Sequence, residues 1–204
     1  MIAPHLMNRN PLMSLDTIRA TFAASIATKE ALLADESRLE TLLAVAGVMA
    51  STLQAGHKVM LCGNGGSAAD SQHIAAELIG RFEKERASMA AIALTTDTSA
   101  LTAIGNDYGY DQVFSRQVEG IGRPGDLLIG ISTSGNSQNV VRAMQIAADK
   151  DIRTVALVGD KPNGAMQQIA DYVLAAPSTN TARIQECHIL MMHTLCQLVE
   201  SESV

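Results

Sequence analysis

Residues 125–137 read GDLLIGISTSGNS, and apolar residues recur at helical spacing in the run Val140–Lys150 behind them. Within the quoted stretch, Asp126–Ile131 is a short, almost continuous apolar run, as a strand covered on both faces requires. The remainder crowds four hydroxyls, Ser132, Thr133, Ser134 and Ser137, around Gly135 where the helix begins. Strand, turn and helix in that order make half of a βαβ unit. The same grammar recurs: β-rich runs appear at Lys58–Cys62, Ala91–Leu94, Arg153–Val158 and Tyr172–Leu174, most followed by a turn and a helix-length segment. Strands alternating with helices imply parallel strands with crossover helices. The expected fold is α/β, three layers (α/β/α) around a five-stranded, mostly parallel sheet.

Outward from this centre the grammar changes. Leu15 to about Ala34 and Ser37 to about Gln54 read as two helices joined near Asp35, ahead of any strand. A third helix, from about Thr181 to Glu200, closes the chain. The first two helices either cap one side of the domain or pack on a partner chain. Residues 1–13 hold Pro4 and Pro11 without periodicity and read as a loose N-terminal extension. Residues 14–204 read as one domain that includes both N-terminal helices, in keeping with the ~100–200 residues typical of a domain.

Composition narrows the function classes. Hydrophobic residues make up 47% of the 204, with no Trp and only three Phe and three Tyr, so the core must be aliphatic. A formal net charge of −6 argues against binding nucleic acid through a broadly basic surface. Three cysteines, Cys62, Cys187 and Cys196, form no C-x-x-C pair, which fits a reducing compartment. No apolar stretch approaches the ~20 residues of a bilayer span, and the first residues lack the apolar run of a secretory leader. The expected location is the cytoplasm.

In parallel sheets ligands bind beyond the carboxyl ends of the strands. The hydroxyl-rich turn Ser132–Ser137 lies at such a place. A helix start offers free N–H groups and positive dipole potential, and hydroxyls add neutral donors. Capping the helix needs one hydroxyl, and four exceed that need, so the turn is read as a phosphate site. The turn after the first strand, Gly63-Asn64-Gly65-Gly66-Ser67, permits close backbone approach to a ligand. It fits neither the dinucleotide fingerprint nor the P-loop pattern.

His73 and Glu77, four apart on the helix that follows, share one face. Gln185, His188 and His193 lie on the last helix among Ile189, Leu190, Met191, Met192 and Leu195. Singly, each histidine reads equally well as a satisfied core or interface residue. Jointly, two imidazoles and a carboxylate suit a metal such as Zn²⁺, or acid–base work on a sugar carbonyl and its neighbouring C–H. Gln185 and His193 are separated by about 12 Å of helix rise. Both reach one ion only if the helix starts late, kinks, or contributes the two residues from different subunits.

The runs CGNGGSAADSQHIAAEL (62–78), LTTDTSALTAIGNDYG (94–109), GDLLIGISTSGNS (125–137) and RIQECHILMMH (183–193) resemble the phosphoheptose isomerases of the SIS-domain family, over about residues 15–200. The resemblance implies a cytoplasmic homotetramer with active sites at subunit interfaces. It implies isomerisation of sedoheptulose 7-phosphate to D-glycero-D-manno-heptose 7-phosphate, for the heptose of lipopolysaccharide core or related glycans. It also implies roles for residues. Asn64, Gly65, Gly66, Asn106, Asp107 and Gln185 would contact the substrate, and Ser132, Thr133, Ser134 and Ser137 its phosphate. His73, Glu77, Gln185 and His193 would hold one Zn²⁺ per subunit, with Glu77, also a substrate contact, and His193 as the acid–base pair. The alternative is a non-catalytic SIS-domain protein that binds the bacterial replication initiator; the presence of all four of His73, Glu77, Gln185 and His193 favours the enzyme. A sugar-phosphate sensor ranks lower, for want of an appended regulatory module.

Overall fold

The computed structural model describes residues 13–202, so the expected N-terminal extension lies, apart from Met13, outside the described residues. Five strands form one sheet: β1 (Val59–Gly63), β2 (Ala91–Ala93), β3 (Leu127–Ile131), β4 (Arg153–Gly159) and β5 (Tyr172–Ala176). Their order is β2-β1-β3-β4-β5, and every pair is parallel. The helices are α1 (Leu15–Leu33), α2 (Glu36–Gln54), α3 (Gly66–Ile79), α4 (Thr98–Tyr108), α5 (Ser115–Ile121), α6 (Gln138–Asp149), α7 (Ala165–Ile169) and α8 (Thr181–Ser201). Ser14 and Asp35 cap α1 and α2 through their side chains, which is why the chain breaks at Asp35 as its sequence suggests.

The three layers follow from alternation along the strands. Val59, Leu61, Leu127 and Ile129 face α2, α3 and α8 in one cluster. Met60, Cys62 and Leu128 face the other way, into a cluster with Phe114, Val118, Val140 and Met144. On α3, Ile74, Ala75 and Leu78 are buried; each large one contributes about 1.5–3 kcal/mol. The three cysteines are free and buried, and burial pushes the Cys62 thiol up to about 12. Among the described residues no helix is long and apolar enough to cross a membrane.

The chain runs from β1 outward to β2 and then returns to place β3 on the other side of β1. That reversal opens a crevice at the carboxyl ends of β1 and β3. The register pairs Gly63 with Ile131, so the glycine turn and the hydroxyl turn leave the sheet side by side.

α1 departs from the usual logic of a helix. It meets the rest of the protein through polar contacts: Ser25 Oγ donates to Glu186 Oε2 at 2.6 Å, and Arg183 Nη1 donates to the Thr21 backbone carbonyl at 2.9 Å. Its apolar residues Leu15, Ile18, Phe22, Ile26 and Leu33 all stand more than half exposed, and only Leu32 is buried.

Candidate active site

The hydroxyl turn is not a cap. Ser137 occupies the N-cap position of α6, yet its side chain caps nothing. Its Oγ lies 2.9 Å from Ser132 Oγ, which in turn lies 3.2 Å from Ser134 Oγ. Three hydroxyls thus converge in front of a helix start that its N-cap side chain leaves uncapped. Asn136 braces the turn from behind, its Oδ1 accepting from Ala165 N at 2.9 Å. Thr133 is half-buried beside them.

Across the crevice, Gly65 takes φ +56, a conformation that favours glycine. A Cβ on Gly66 would stand 2.6 Å from Gln185 Nε2, so the missing side chain lets the Gln185 carboxamide come up against the start of α3. Asn64 reaches over to α6, where its Nδ2 donates to Asn139 Oδ1 at 2.9 Å.

Seven residues beyond Gly66, about 10 Å of rise, His73 meets α8. His73 Nε2 and His193 Nε2 are 2.8 Å apart, and Glu77 Oε1 is 3.4 Å from His73 Nε2. Potential ligand atoms of His73, Glu77 and His193 all lie within 4.8 Å of one another. Two imidazoles and a carboxylate are donors that Zn²⁺ takes, at bonds of about 2.0 Å; tetrahedral donors then stand about 3.3 Å apart. The imidazoles would need to part by about half an ångström, so the residues present fit such an ion. The triad opens to one side, with the His73 side chain 47% exposed.

α8 starts at Thr181 and runs unbroken through both Gln185 and His193, which removes the late start. Within one chain Gln185 therefore sits over Gly66, while Glu77 and His193 converge with His73 two turns away. Asn106 and Asp107 stand on a different element, α4. Both are exposed at the end of α4, where Asn106 Nδ2 donates to Asp107 Oδ1 at 2.8 Å. His188 is a core residue, wholly buried with Nε2 3.0 Å from the Val158 carbonyl oxygen.

The SIS domain profile matches residues 22–159. The phosphoheptose isomerase of Akkermansia muciniphila is 60% identical over 158 residues, 78% of this chain and 83% of that one. That of Aquifex aeolicus is 53% identical over 91% of this chain and 96% of its own. The chain belongs to the SIS-domain phosphoheptose isomerases. The solved structure of phosphoheptose isomerase from Neisseria gonorrhoeae superposes on this member of the family with a TM-score of 0.85. It is 46% identical and covers 91% of this chain and 98% of its own.

The SIS-domain site holds residues that the sequence did not single out. Phe82 stacks on the His193 imidazole, ring centroids 5.3 Å apart at 26°. Asp70 sits one turn before His73; burial pushes its carboxyl up, against the pull of His73 and His193. Asn139 and Tyr110 both bond to Asn64. No local spacing marks Phe82, Asn139 or Tyr110, since their partners come from distant segments, whereas Asp70 stands three residues before His73 on α3.

Proposed function

We propose that the protein isomerises sedoheptulose 7-phosphate to D-glycero-D-manno-heptose 7-phosphate, supplying heptose for lipopolysaccharide core or a related glycan in the cytoplasm. The observation that carries this reading is the joint placement of a converging hydroxyl turn and an acid–base cluster on neighbouring elements. The distance along α3 from the glycine turn to His73 is comparable with the reach from the phosphate of a seven-carbon sugar to its carbonyl end. Ser132, Thr133, Ser134 and Ser137 hold the phosphate, with the α6 start behind them. Asn64, Gly65, Gly66 and Gln185 line the sugar, and Asn106 and Asp107 reach it from α4.

Glu77 removes a proton from the carbon next to the carbonyl, giving an enediol as the carbonyl oxygen takes up a proton. His193 delivers a proton to the former carbonyl carbon, while the hydroxyl on the carbon that lost its proton gives up its own, and the aldehyde forms at that carbon. His73, Glu77 and His193, with Gln185 of the partner subunit, would hold one Zn²⁺, whose Lewis acidity favours charge on the sugar oxygens. Phe82 covers one face of His193 and keeps water from it.

The protein works as a homotetramer with sites at subunit interfaces. The outward apolar stripe of α1 and the open side of the triad both support this, since a second copy can cover each. The binding-only alternative has no observation in its favour: the relatives carry an enzyme's name, and Glu77 and His193 converge. Incubation with sedoheptulose 7-phosphate tests the reading. The aldoheptose 7-phosphate should appear with wild-type protein and vanish with Glu77→Gln; no product from a folded, metal-supplied wild type would sink it.

A further inference from the structure

Asn64 and Asn139 join the two turns of the crevice by a reciprocal pair of carboxamide hydrogen bonds. Asn64 Nδ2 donates to Asn139 Oδ1 at 2.9 Å, and Asn139 Nδ2 donates to Asn64 Oδ1 at 2.8 Å. A backbone group fixes the direction of this pair. The N–H of Val140, shared with the Ser137 carbonyl, donates to Asn139 Oδ1 at 3.0 Å. Asn139 is 4% exposed, so turning its carboxamide round would press an NH₂ against a buried N–H and forfeit these bonds. With Asn139 fixed, Asn64 has no choice either.

Tyr110 completes the arrangement. Its hydroxyl donates to Asn64 Oδ1 at 3.0 Å, although the residue as a whole is 64% exposed. It stands in a single 3₁₀ turn, Tyr110–Gln112, just after α4, and neither element buries a residue. Leu101 and Ile104 of α4 pack on the core and Asp111 pairs with Arg142 on α6, but the Tyr110 ring itself is exposed, so burial of the ring does not fix where this hydroxyl sits. A carboxamide oxygen has two lone pairs, and both on Asn64 are taken, by Asn139 and by Tyr110. A carboxamide nitrogen has two N–H groups, and among the described residues only one of Asn64's is engaged. Its sole remaining capacity is to donate.

We infer that Asn139 and Tyr110 are positioning residues that turn Asn64 into a one-way donor aimed at an electron-rich oxygen of the bound sugar phosphate. A hydroxyl hydrogen of the ligand finds no acceptor at Asn64; a carbonyl or enediolate oxygen finds a donor whose orientation is set before it arrives. The inference rests on the isomerase reading, and deepens it by assigning the chemical sense of one contact.

A double-mutant cycle tests it, reading kcat/KM for sedoheptulose 7-phosphate alongside thermal midpoints. Asn139→Leu, which keeps the volume and removes every side-chain bond, should lower kcat/KM about tenfold to a hundredfold. Tyr110→Phe should lower it less, about tenfold at most. In an Asn64→Ala background neither change should cost anything further, because both act through Asn64. Additive losses, or a wild-type kcat/KM in either single variant, would overturn the inference. Should Asn139→Leu not fold, the Tyr110→Phe cycle still decides, since its ring is exposed. Side-chain ¹⁵N spectra of asparagine-labelled protein add a readout without catalysis. One Asn64 amide proton should be protected from exchange and the other free, the protection being lost in Asn139→Leu. Equal exchange of both protons overturns the pairing even in an active enzyme. A wild type with the protected proton and no turnover defeats the isomerase reading instead.

Discussion

The backbone N–H of Phe82 donates to Glu200 Oε1 at 2.7 Å, and the ring carried by the same residue stacks on His193. The N–H groups of Glu83 and Lys84 reach Oε2 of the same carboxylate, and Arg86 Nε lies 3.1 Å from Oε1. One carboxylate from α8 thus shapes the turn after α3 and places the Phe82 ring over the His193 imidazole.

Both side chains of the Arg86–Glu200 pair are nearly inaccessible, at 4% and 1% exposure. Glu200→Ala strands the guanidinium and should destabilise by about 3–5 kcal/mol in urea unfolding. Glu200→Gln, which keeps an acceptor, should cost less. Burial works to raise the Glu200 carboxyl, but the three N–H groups and Arg86 outweigh it and hold it below its ordinary value. Its contribution is therefore complete above the unfolded carboxylate value, about 4.3. It is lost as pH falls through the lower folded value. Glu200→Gln should flatten the acid limb of the stability curve, and an unchanged limb would remove Glu200 from it.

For the metal, His73, Glu77 and His193 supply the donors. Titration with Zn²⁺ should reach about one ion per chain, and His73→Ala or His193→Ala should weaken uptake sharply. Gln185→Ala decides whether that carboxamide joins them. Elemental analysis and titration that both read zero would remove the ion, leaving the acid–base roles to be tested separately.

The hydroxyl turn makes a graded prediction. A hydrogen bond to a charged group is worth about 1.5–3 kcal/mol, so Ser134→Ala should weaken substrate affinity about tenfold or more at an unchanged unfolding midpoint. Ser132→Ala should also perturb its neighbours, because Ser132 Oγ touches both Ser134 and Ser137. Unchanged affinity in all three single Ala variants would return the turn to a structural role.

His188 supplies a pH signature. Burial pulls its imidazole down to about 4, against a bond to the Val158 carbonyl that works the other way. The folded state keeps this ring neutral, while the unfolded chain protonates it near pH 6.5. Stability should be lost as pH falls from about 7 towards about 4, by about 3 kcal/mol from this group. His188→Gln, which retains a donor for the carbonyl, should show a flatter dependence in urea unfolding at pH 7.5 and 5. Parallel curves for the two proteins would contradict it.

The strands were legible in the sequence because a sheet buried on both faces leaves short, nearly continuous apolar runs, and the predicted bounds of β1, β3 and β4 shift by one residue at most. α4 was not legible as an element of its own: it buries no residue outright, and only Leu101 and Ile104 pack on the core, too short an apolar face to mark a helix. The hydroxyl turn could be found because its residues are contiguous, and His73 with Glu77 because four-residue spacing carries meaning. Asn139 and Tyr110 could not, since their roles depend on Asn64, 75 and 46 positions away. The histidines of α8 look alike in sequence; only burial separates His188 in the core from His193 at the site.

Assembly and catalysis can be separated by subunit mixing. α1 turns Ser25 inward to Glu186 and its apolar stripe outward, a face that another copy can cover. If the proposed tetramer forms through this stripe, Phe22→Asp with Ile26→Asp should shift it to smaller species in sedimentation, and a wild type that is monomeric at micromolar concentration would refute the proposal. The acid–base pair behaves differently. Glu77 and His193 converge with His73 inside one chain, which predicts that the proposed site takes both from the same subunit. Mixed tetramers of Glu77→Gln and His193→Ala chains should accordingly remain inactive, because every site lacks one member. Gln185 is the residue for which mixing can succeed: it lies at Gly66, two turns from the triad of its own chain. If a neighbouring subunit supplies it, Gln185→Ala chains mixed with Glu77→Gln chains should recover part of the wild-type rate through hybrid sites. Recovery with the first pair of variants would place Glu77 and His193 on different chains and refute the one-chain triad.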